Sequence, residues 1–186
     1  MNLRAIAFAL ALWLPAAVAF PADDPTPSLQ GRFDLREVGS GRRATRESYR
    51  GSLRLVFFGF THCPLTCPTS LHTMVEALAK IGPDAAQVKP LFITLDPERD
   101  TAAVMKAYLA SFDPRLIGLR GSRHATEAAM REFRLEAERV GTGKDYGFEH
   151  PAMVYLMDRE GGFVQALSSN GTANEIAAAV KEALKP

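Results

Sequence analysis

Leu53-Arg54-Leu55-Val56-Phe57-Phe58-Gly59-Phe60, followed at once by Thr61-His62-Cys63-Pro64-Leu65-Thr66-Cys67-Pro68, is the stretch from which the fold follows. A nearly continuous apolar run of this kind reads as a central strand buried on both faces. Pro68 suits the first residue of a helix, where its missing N–H costs nothing. Leu71, Met74, Val75 and Leu78 then recur at helical spacing. They predict a helix over 69–80 with those four side chains on its buried face. Gly82-Pro83 ends it.

The rest of the chain alternates similar segments. Residues 33–38 alternate apolar and polar, as a half-exposed strand does, and Gly39-Ser40-Gly41 turns it. Residues 88–95 predict another strand, and Asp100-Thr101 opens a second helix that runs to about Ala110. Residues 116–119 predict a short strand, and 122–134 a third helix capped by Ser122. Residues 136–149 read as a polar connection holding Gly141, Gly143 and Gly147. It is long for an unstructured link in a compact domain, and such links often carry function. Residues 152–157 and 162–167 predict a hairpin turning at Asp158-Arg159-Glu160-Gly161, and 174–184 a closing helix. The pattern predicts an α/β fold, a thioredoxin-like three-layer sandwich around a central mixed β-sheet. The cysteine pair sits between the first central strand and its helix, as that arrangement requires.

A chain of 186 residues is long enough for one domain with a real hydrophobic core. Residues 1–19 read as a secretory signal peptide. Met1-Asn2-Leu3-Arg4 is a short positive start, residues 5–18 are apolar, and Ala17-Val18-Ala19 is a cleavage pattern. A retained membrane anchor is the rival reading, but the apolar stretch is short for a span and contains Pro15. Residues 20–29 follow as a proline- and aspartate-rich linker, and 30–186 as the folded domain. The expected location is periplasmic, with membrane contact only through an uncleaved N-terminus. Without Arg4, basic and acidic residues balance, which argues against nucleic acid as a partner. Arg42, Arg43, Arg46 and Arg50 read as a basic patch on a solvated loop, with docking of an acidic partner as the alternative.

Cys63 and Cys67 are the only cysteines, so neither belongs to a larger disulfide framework. Disulfides persist outside the cytosol, but a bridge closing so short a loop constrains the unfolded chain only weakly. The pair therefore reads as functional. A loop opening onto a helix N-terminus offers unpaired N–H groups and a partial positive charge, both of which favour thiolate. Thiolate attacks disulfides and binds soft metals. Thioredoxin-type oxidoreductases use C-x-x-C. The extra residue here still permits a disulfide and also suits two sulfurs around one metal ion.

Two thiolates hold Cu(I) in near-linear geometry, and a third, imidazole ligand makes a trigonal site able to take Cu(II) as well. Four histidines are candidates. His62 adjoins Cys63, but neighbours in extended chain point opposite ways. His72 lies in the following helix beside apolar residues, and His124 reads as solvated in the third helix. His150 is delivered by the glycine-bearing connection to the start of a strand. Spacing alone leaves the choice open. Asp96, before Pro97 at a strand end, reads either as a turn-former or as a group supporting the site from the sheet edge.

Three segments carry a family resemblance. Phe58-Gly59-Phe60-Thr61-His62-Cys63-Pro64-Leu65-Thr66-Cys67-Pro68 resembles the F-G-F-T-x-C-P-x-x-C-P segment of the Sco (SenC) copper proteins. Thr94-Leu95-Asp96-Pro97-Glu98-Arg99-Asp100-Thr101 resembles their D-P-x-R-D-T segment. Phe148-Glu149-His150-Pro151, leading into Met153-Val154-Tyr155-Leu156-Met157-Asp158, resembles their D-H-[ST] segment and late strand. The resemblance spans the domain from about Gln30 to Leu184. It implies a thioredoxin-like fold and a copper site made by Cys63, Cys67 and His150. It also implies delivery of copper to the binuclear centre of cytochrome c oxidase subunit II, directly or by reducing that target's cysteines.

The chain departs from the family pattern at several positions. Leu65 and Thr66 stand where members often carry an acidic residue and valine, so the loop lacks a negative charge that would help offset Cu(II). Glu149 replaces an aspartate, and Pro151 follows the histidine directly, with a cis or trans bond open.

The leading expectation is a copper-binding metallochaperone carrying Cu(I) or Cu(II), with other periplasmic redox or copper carriers as further partners. Pairing of Cys63 and Cys67 into a disulfide would expel the metal and couple release to redox state. The alternative is a metal-independent thiol–disulfide reductase, with Cys63 and Cys67 as its catalytic redox pair. A peroxide-reducing thiol enzyme is disfavoured, because no threonine and arginine segment accompanies the cysteines.

Overall fold

β3 (Leu53–Gly59) is buried along its whole length, and its side chains divide between two cores by the two-residue period of a strand. Leu53, Leu55 and Phe57 face one core, and Val56 and Phe58 the other. The computed structural model describes residues 29–185. The expected signal peptide, and all of the expected linker before Leu29, lie outside the described residues.

β3 pairs in parallel with β4 (Val88–Thr94), which pairs in parallel with β5 (Ile117–Arg120). β1 (Asp34–Glu37) runs antiparallel to β5 and is edged by β2 (Arg43–Thr45). On the other side β8 (Met153–Met157) runs antiparallel to β3, and β9 (Phe163–Ser168) closes that edge. The sheet order is β2-β1-β5-β4-β3-β8-β9, a mixed sheet of seven strands. The expected α/β sandwich with a central mixed sheet is what the chain forms.

α1 (Thr66–Ile81), α2 (Ala102–Ala110) and α4 (Ala173–Leu184) cover the face of Leu55 and Phe57, and α3 (Arg123–Glu132) covers the face of Val56 and Phe58. Leu71, Met74 and Leu78 are buried on α1, as the helical spacing predicts. Gly82, at φ +77°, ends that helix with a backbone conformation that favours glycine. Thr101, Ser122 and Thr172 cap α2, α3 and α4 by accepting a backbone N–H three residues on. Among the described residues no helix is long and apolar enough to cross a membrane.

Four sequence expectations need correction. α1 starts at Thr66, two residues before Pro68. Pro68 is still in the first turn, where backbone N–H groups have no intrahelical partner, so the helix can begin earlier and take in Cys67. Residues 136–149 are not an irregular connection. β6 (Glu138–Thr142) and β7 (Asp145–Glu149) pair antiparallel as a separate two-stranded sheet. Gly143, at φ +63°, opens the two-residue turn between them. Neither strand has a fully buried residue, so no apolar alternation marks them. β2 is unmarked for another reason: it is three residues long at a sheet edge, with Ala44 its one buried side chain. The basic patch is solvated as expected but does not lie on a loop: Arg43 is in β2 and Arg46 opens a 3-10 turn, and Arg42 meets Glu37 at 3.3 Å, Arg43 meets Asp34 at 2.7 Å and Arg46 meets Glu47 at 3.3 Å.

Arg54 interrupts the apolar run of β3 and is 1% exposed. Its guanidinium donates to the carbonyls of Asp158 (3.1 Å) and Arg159 (3.4 Å) at the β8–β9 turn. That turn is thereby tied to the centre of the sheet, and the charge is partly satisfied without a carboxylate partner.

Candidate metal centre

The end of β3, the first turn of α1, the β4–α2 loop and the β6–β7 hairpin converge at the C-terminal ends of β3 and β4. Cys63 and Cys67 are both free thiols there, Cys63 partly exposed and Cys67 buried. The N-cap of α1, Leu65, offers no side-chain acceptor. Instead the backbone N–H of Cys67 donates to Cys63 Sγ at 3.3 Å. The sulfur thus takes the role that a serine or aspartate oxygen plays at other helix starts. Leu65, between the two cysteines, is 72% exposed.

Cys67 Sγ points into the core. Burial is the main reason its thiol is pushed well above the ordinary cysteine range, with the nearby Cys63 sulfur and Asp100 adding to the rise. A backbone hydrogen bond at Phe60 pulls the other way. The Tyr108 phenol is also pushed up, first by burial and then by charge at Cys67, Cys63 and Asp100.

Gly59 makes the approach of these groups possible. A Cβ there would stand 2.9 Å from Cys67 Sγ and 3.0 Å from the rings of both Phe57 and Phe92. Gly59→Ala is therefore expected to destabilise the protein by about 1–3 kcal/mol, the usual cost of overpacking a well-filled core. A urea unfolding midpoint unchanged by the substitution would contradict this packing account.

Asp100 holds the cysteine loop from beneath. It is fully buried and accepts hydrogen bonds from Thr61 Oγ1 (2.5 Å), Thr94 Oγ1 (2.6 Å) and the Thr61 backbone N–H (3.1 Å). Thr101 takes over the cap of α2, which frees the Asp100 side chain to turn inward. Arg120 Nε donates to the Asp100 carbonyl at 2.9 Å and fixes the backbone at that turn. From sequence, Asp100 is only a helix start and Asp96 is open between a turn-former and a supporting group. In the structure Asp96 serves the turn, accepting the Arg99 backbone N–H at 3.4 Å, and Asp100 is the carboxylate that supports the cysteine loop. Asp96 is buried and engages Arg99 and the Tyr146 hydroxyl, whereas Asp100 bonds the loop that carries Cys63. No spacing rule separates these two aspartates, because the difference is which way each side chain turns from the same loop.

His150 follows the last residue of β7. Two residues, Pro151 and Ala152, separate His150 from the start of β8. Its ring packs 6.5 Å from the ring of Phe57, centroid to centroid. Its Nδ1 lies 3.1 Å from the Pro151 carbonyl oxygen. A carbonyl only accepts, so Nδ1 carries the proton and Nε2 keeps its lone pair, the arrangement common in ligating histidines. Burial lowers the pKa of His150, so the neutral form persists below the ordinary histidine range. Among the described residues there is no cis peptide bond, so Pro151 follows a trans bond.

The other histidines stand apart from the sulfurs in role. His62 Nδ1 lies 3.1 Å from Thr61 Oγ1 and 3.7 Å from Asp100 Oδ1. His72 packs edge-on against Phe112 at 4.9 Å, and His124 is exposed on α3. Among the described residues no three His, Cys, Asp or Glu side chains are gathered into a ready metal cage. The structure brings the two sulfurs together within one helical turn and sets His150 against Phe57, whose ring borders the same Gly59 position as Cys67 Sγ. Two thiols and a neutral imidazole with a free nitrogen form a soft donor set suited to copper.

A family profile described as SCO1/SenC matches residues 21–185. The chain is 35% identical to the human "Protein SCO1 homolog, mitochondrial" over 86% of its own length and 54% of that protein's. It is 36% identical to the mouse "Protein SCO2 homolog, mitochondrial", over 82% of this chain and 61% of that one. The chain thus spans little more than half the length of these relatives. A solved structure of ScoI from Bradyrhizobium japonicum with copper bound superposes with a TM-score of 0.76 at 44% identity, covering 83% of this chain and 99% of that one.

Proposed function

The chain belongs to the SCO1/SenC family, and from that premise we propose that it is a copper-binding metallochaperone whose ligands are Cys63, Cys67 and His150. The observation that carries this reading is what gathers around the C-terminal end of β3. Two free sulfurs lie within one helical turn, and a neutral histidine with its Nε2 unprotonated packs on Phe57, whose ring borders the same Gly59 position as Cys67 Sγ. The copper-bound relative from Bradyrhizobium supports the choice of metal. Copper is here a cargo, held by the thiolates as Cu(I) and by thiolates plus imidazole as Cu(II). The family resemblance supports the binuclear copper centre of cytochrome c oxidase subunit II as recipient. The proposed setting is the periplasm, reached through residues 1–19.

The unequal exposure of the two sulfurs favours a second reading, thiol–disulfide reduction. The accessible Cys63 thiolate would attack a target disulfide, forming a mixed disulfide and releasing one target thiolate. Cys67 would then attack Cys63 Sγ and release the second. The target ends reduced and the Cys63–Cys67 pair oxidised.

Metal stoichiometry separates the two. Reduced protein titrated with Cu(I) against a chelating competitor is expected to bind one equivalent, and Cys63→Ser or Cys67→Ser to bind none. Reduced protein that takes up no stoichiometric copper, yet reduces disulfides, would leave only the reductase reading standing.

A further inference from the structure

The β6–β7 hairpin, which ends just before His150, pairs with no strand of the main sheet. A lone two-stranded hairpin is marginal in water, so its position depends on side-chain contacts with the body. One contact is apolar: Phe148 packs edge-on against Phe60 at 5.4 Å, just before the cysteine loop. The other centres on Tyr146. Its hydroxyl donates to Asp96 Oδ1 at 2.8 Å. The Arg99 guanidinium lies 3.5 Å from the ring centroid and that of Arg139 lies 3.6 Å from it. Two guanidinium groups cannot share one face at those distances, so they clasp the ring from both sides. Arg139 belongs to the hairpin, whereas Arg99 and Asp96 belong to the β4–α2 loop. Arg99 also bonds Asp96 through Nε and donates from Nη1 to the Lys144 carbonyl at 3.2 Å, in the hairpin turn.

We propose that Tyr146 is a positioning residue, a latch that fastens the His150-bearing hairpin to the β4–α2 loop and so fixes that imidazole against Phe57, in the strand that leads to the cysteine loop. The proposal rests on the reading of His150 as a copper ligand. Tyr146 lies four residues before His150 on the same strand and its exit. With the latch fastened, the hairpin is restrained at the turn end by Arg99 and at the exit end by Phe148 on Phe60. With it released, the Arg99 bond to the Lys144 carbonyl and the Phe148–Phe60 contact remain, and His150 is delivered from a less restricted segment. The Cys63 and Cys67 sulfurs are not attached to the hairpin, so the latch acts on the third ligand alone.

The test is a set of three variants, Tyr146→Phe, Tyr146→Leu and His150→Ala, each measured for Cu(I) and Cu(II) affinity by competition. Amide hydrogen exchange over residues 145–149 is followed in copper-free protein. Tyr146→Phe keeps the clasp and loses the bond to Asp96; Tyr146→Leu loses both. Tyr146→Leu is expected to weaken Cu(II) binding on the order of 10-fold or more, the range seen when outer partners of metal ligands are removed. Tyr146→Phe should fall between Tyr146→Leu and wild type. Cu(I) affinity should be unchanged, and exchange across β7 should accelerate in Tyr146→Leu without copper. If Tyr146→Leu binds Cu(II) like wild type while His150→Ala does not, the latch is overturned and the ligand reading survives. If His150→Ala also binds like wild type, the ligand reading fails and the latch with it. Equal losses of Cu(I) and Cu(II) would show a merely structural tyrosine and overturn the proposal.

Discussion

A His150→Ala protein is expected to keep Cu(I) and lose Cu(II). The two sulfurs sit together in the first turn of α1, and the Cys67 N–H bonds Cys63 Sγ without any help from the hairpin. Two thiolates suffice for Cu(I), which accepts near-linear coordination. Cu(II) needs a further donor, and the His150 ring provides one with its proton held on Nδ1 by the Pro151 carbonyl. Loss of groups that merely orient a ligand costs about 10–100-fold in metal affinity. Removing the ligand itself should therefore cost about 100-fold or more. Optical titration of the thiolate-to-copper charge-transfer band gives the Cu(II) constant, and competition with a Cu(I) chelator gives the other. Equal affinities of wild type and variant for Cu(II) would remove His150 from the site. Because Leu65 and Thr66 bring no carboxylate between the cysteines, this chain has no nearby loop charge to stand in for the imidazole.

Asp100→Ala is expected to be among the most damaging single substitutions to stability. The carboxylate is fully buried and receives three donors, Thr61 Oγ1, Thr94 Oγ1 and the Thr61 N–H. Each buried group left without a partner costs about 1–3 kcal/mol. The two hydroxyls can rotate toward other acceptors, but the backbone N–H cannot. We therefore expect a loss of about 3–5 kcal/mol, a large part of the roughly 5–15 kcal/mol that stabilises a domain. Asp100→Asn keeps the shape and one acceptor oxygen and should fall between alanine and wild type. Urea denaturation of the reduced, copper-free protein measures both. A loss below about 1 kcal/mol for the alanine variant would mean that the loop carries its own hydrogen bonds. The same substitution should also free Thr61, the residue that sets the entry angle of the cysteine loop. Alkylation rates at Cys63 and Cys67 in the folded fraction report that change separately from stability.

The elements that were legible in the sequence are those whose pattern is local and strong. The apolar run of β3 and the helical spacing of Leu71, Met74 and Leu78 locate the central strand and its helix, and the cysteines between them. Ser122 caps α3 as its sequence position predicts. The elements that escaped are those that carry no such pattern. β6 and β7 expose both faces in part, so their residues show neither a two-residue nor a helical period. The start of α1 was displaced because proline is tolerated anywhere in a first turn, so Pro68 marks a helix beginning only to within a few residues.

By itself, the sequence determined that this protein has two sulfurs in one loop at the mouth of a helix, because four residues span about one turn and no distant contact is needed to bring them together. It also determined, through its resemblance to copper proteins, which histidine to watch. Only the tertiary structure decided what surrounds the sulfurs. Asp100 rather than Asp96 turns under the loop, Gly59 leaves room for Cys67 against two aromatic rings, and Tyr146 lies clasped between Arg99 and Arg139. Most of those contacts join residues far apart in the chain, Thr61 to Asp100 and Arg99 to Tyr146 among them. They arise from strand register and side-chain rotamers, which become definite only when the sheet is paired and its two faces are filled.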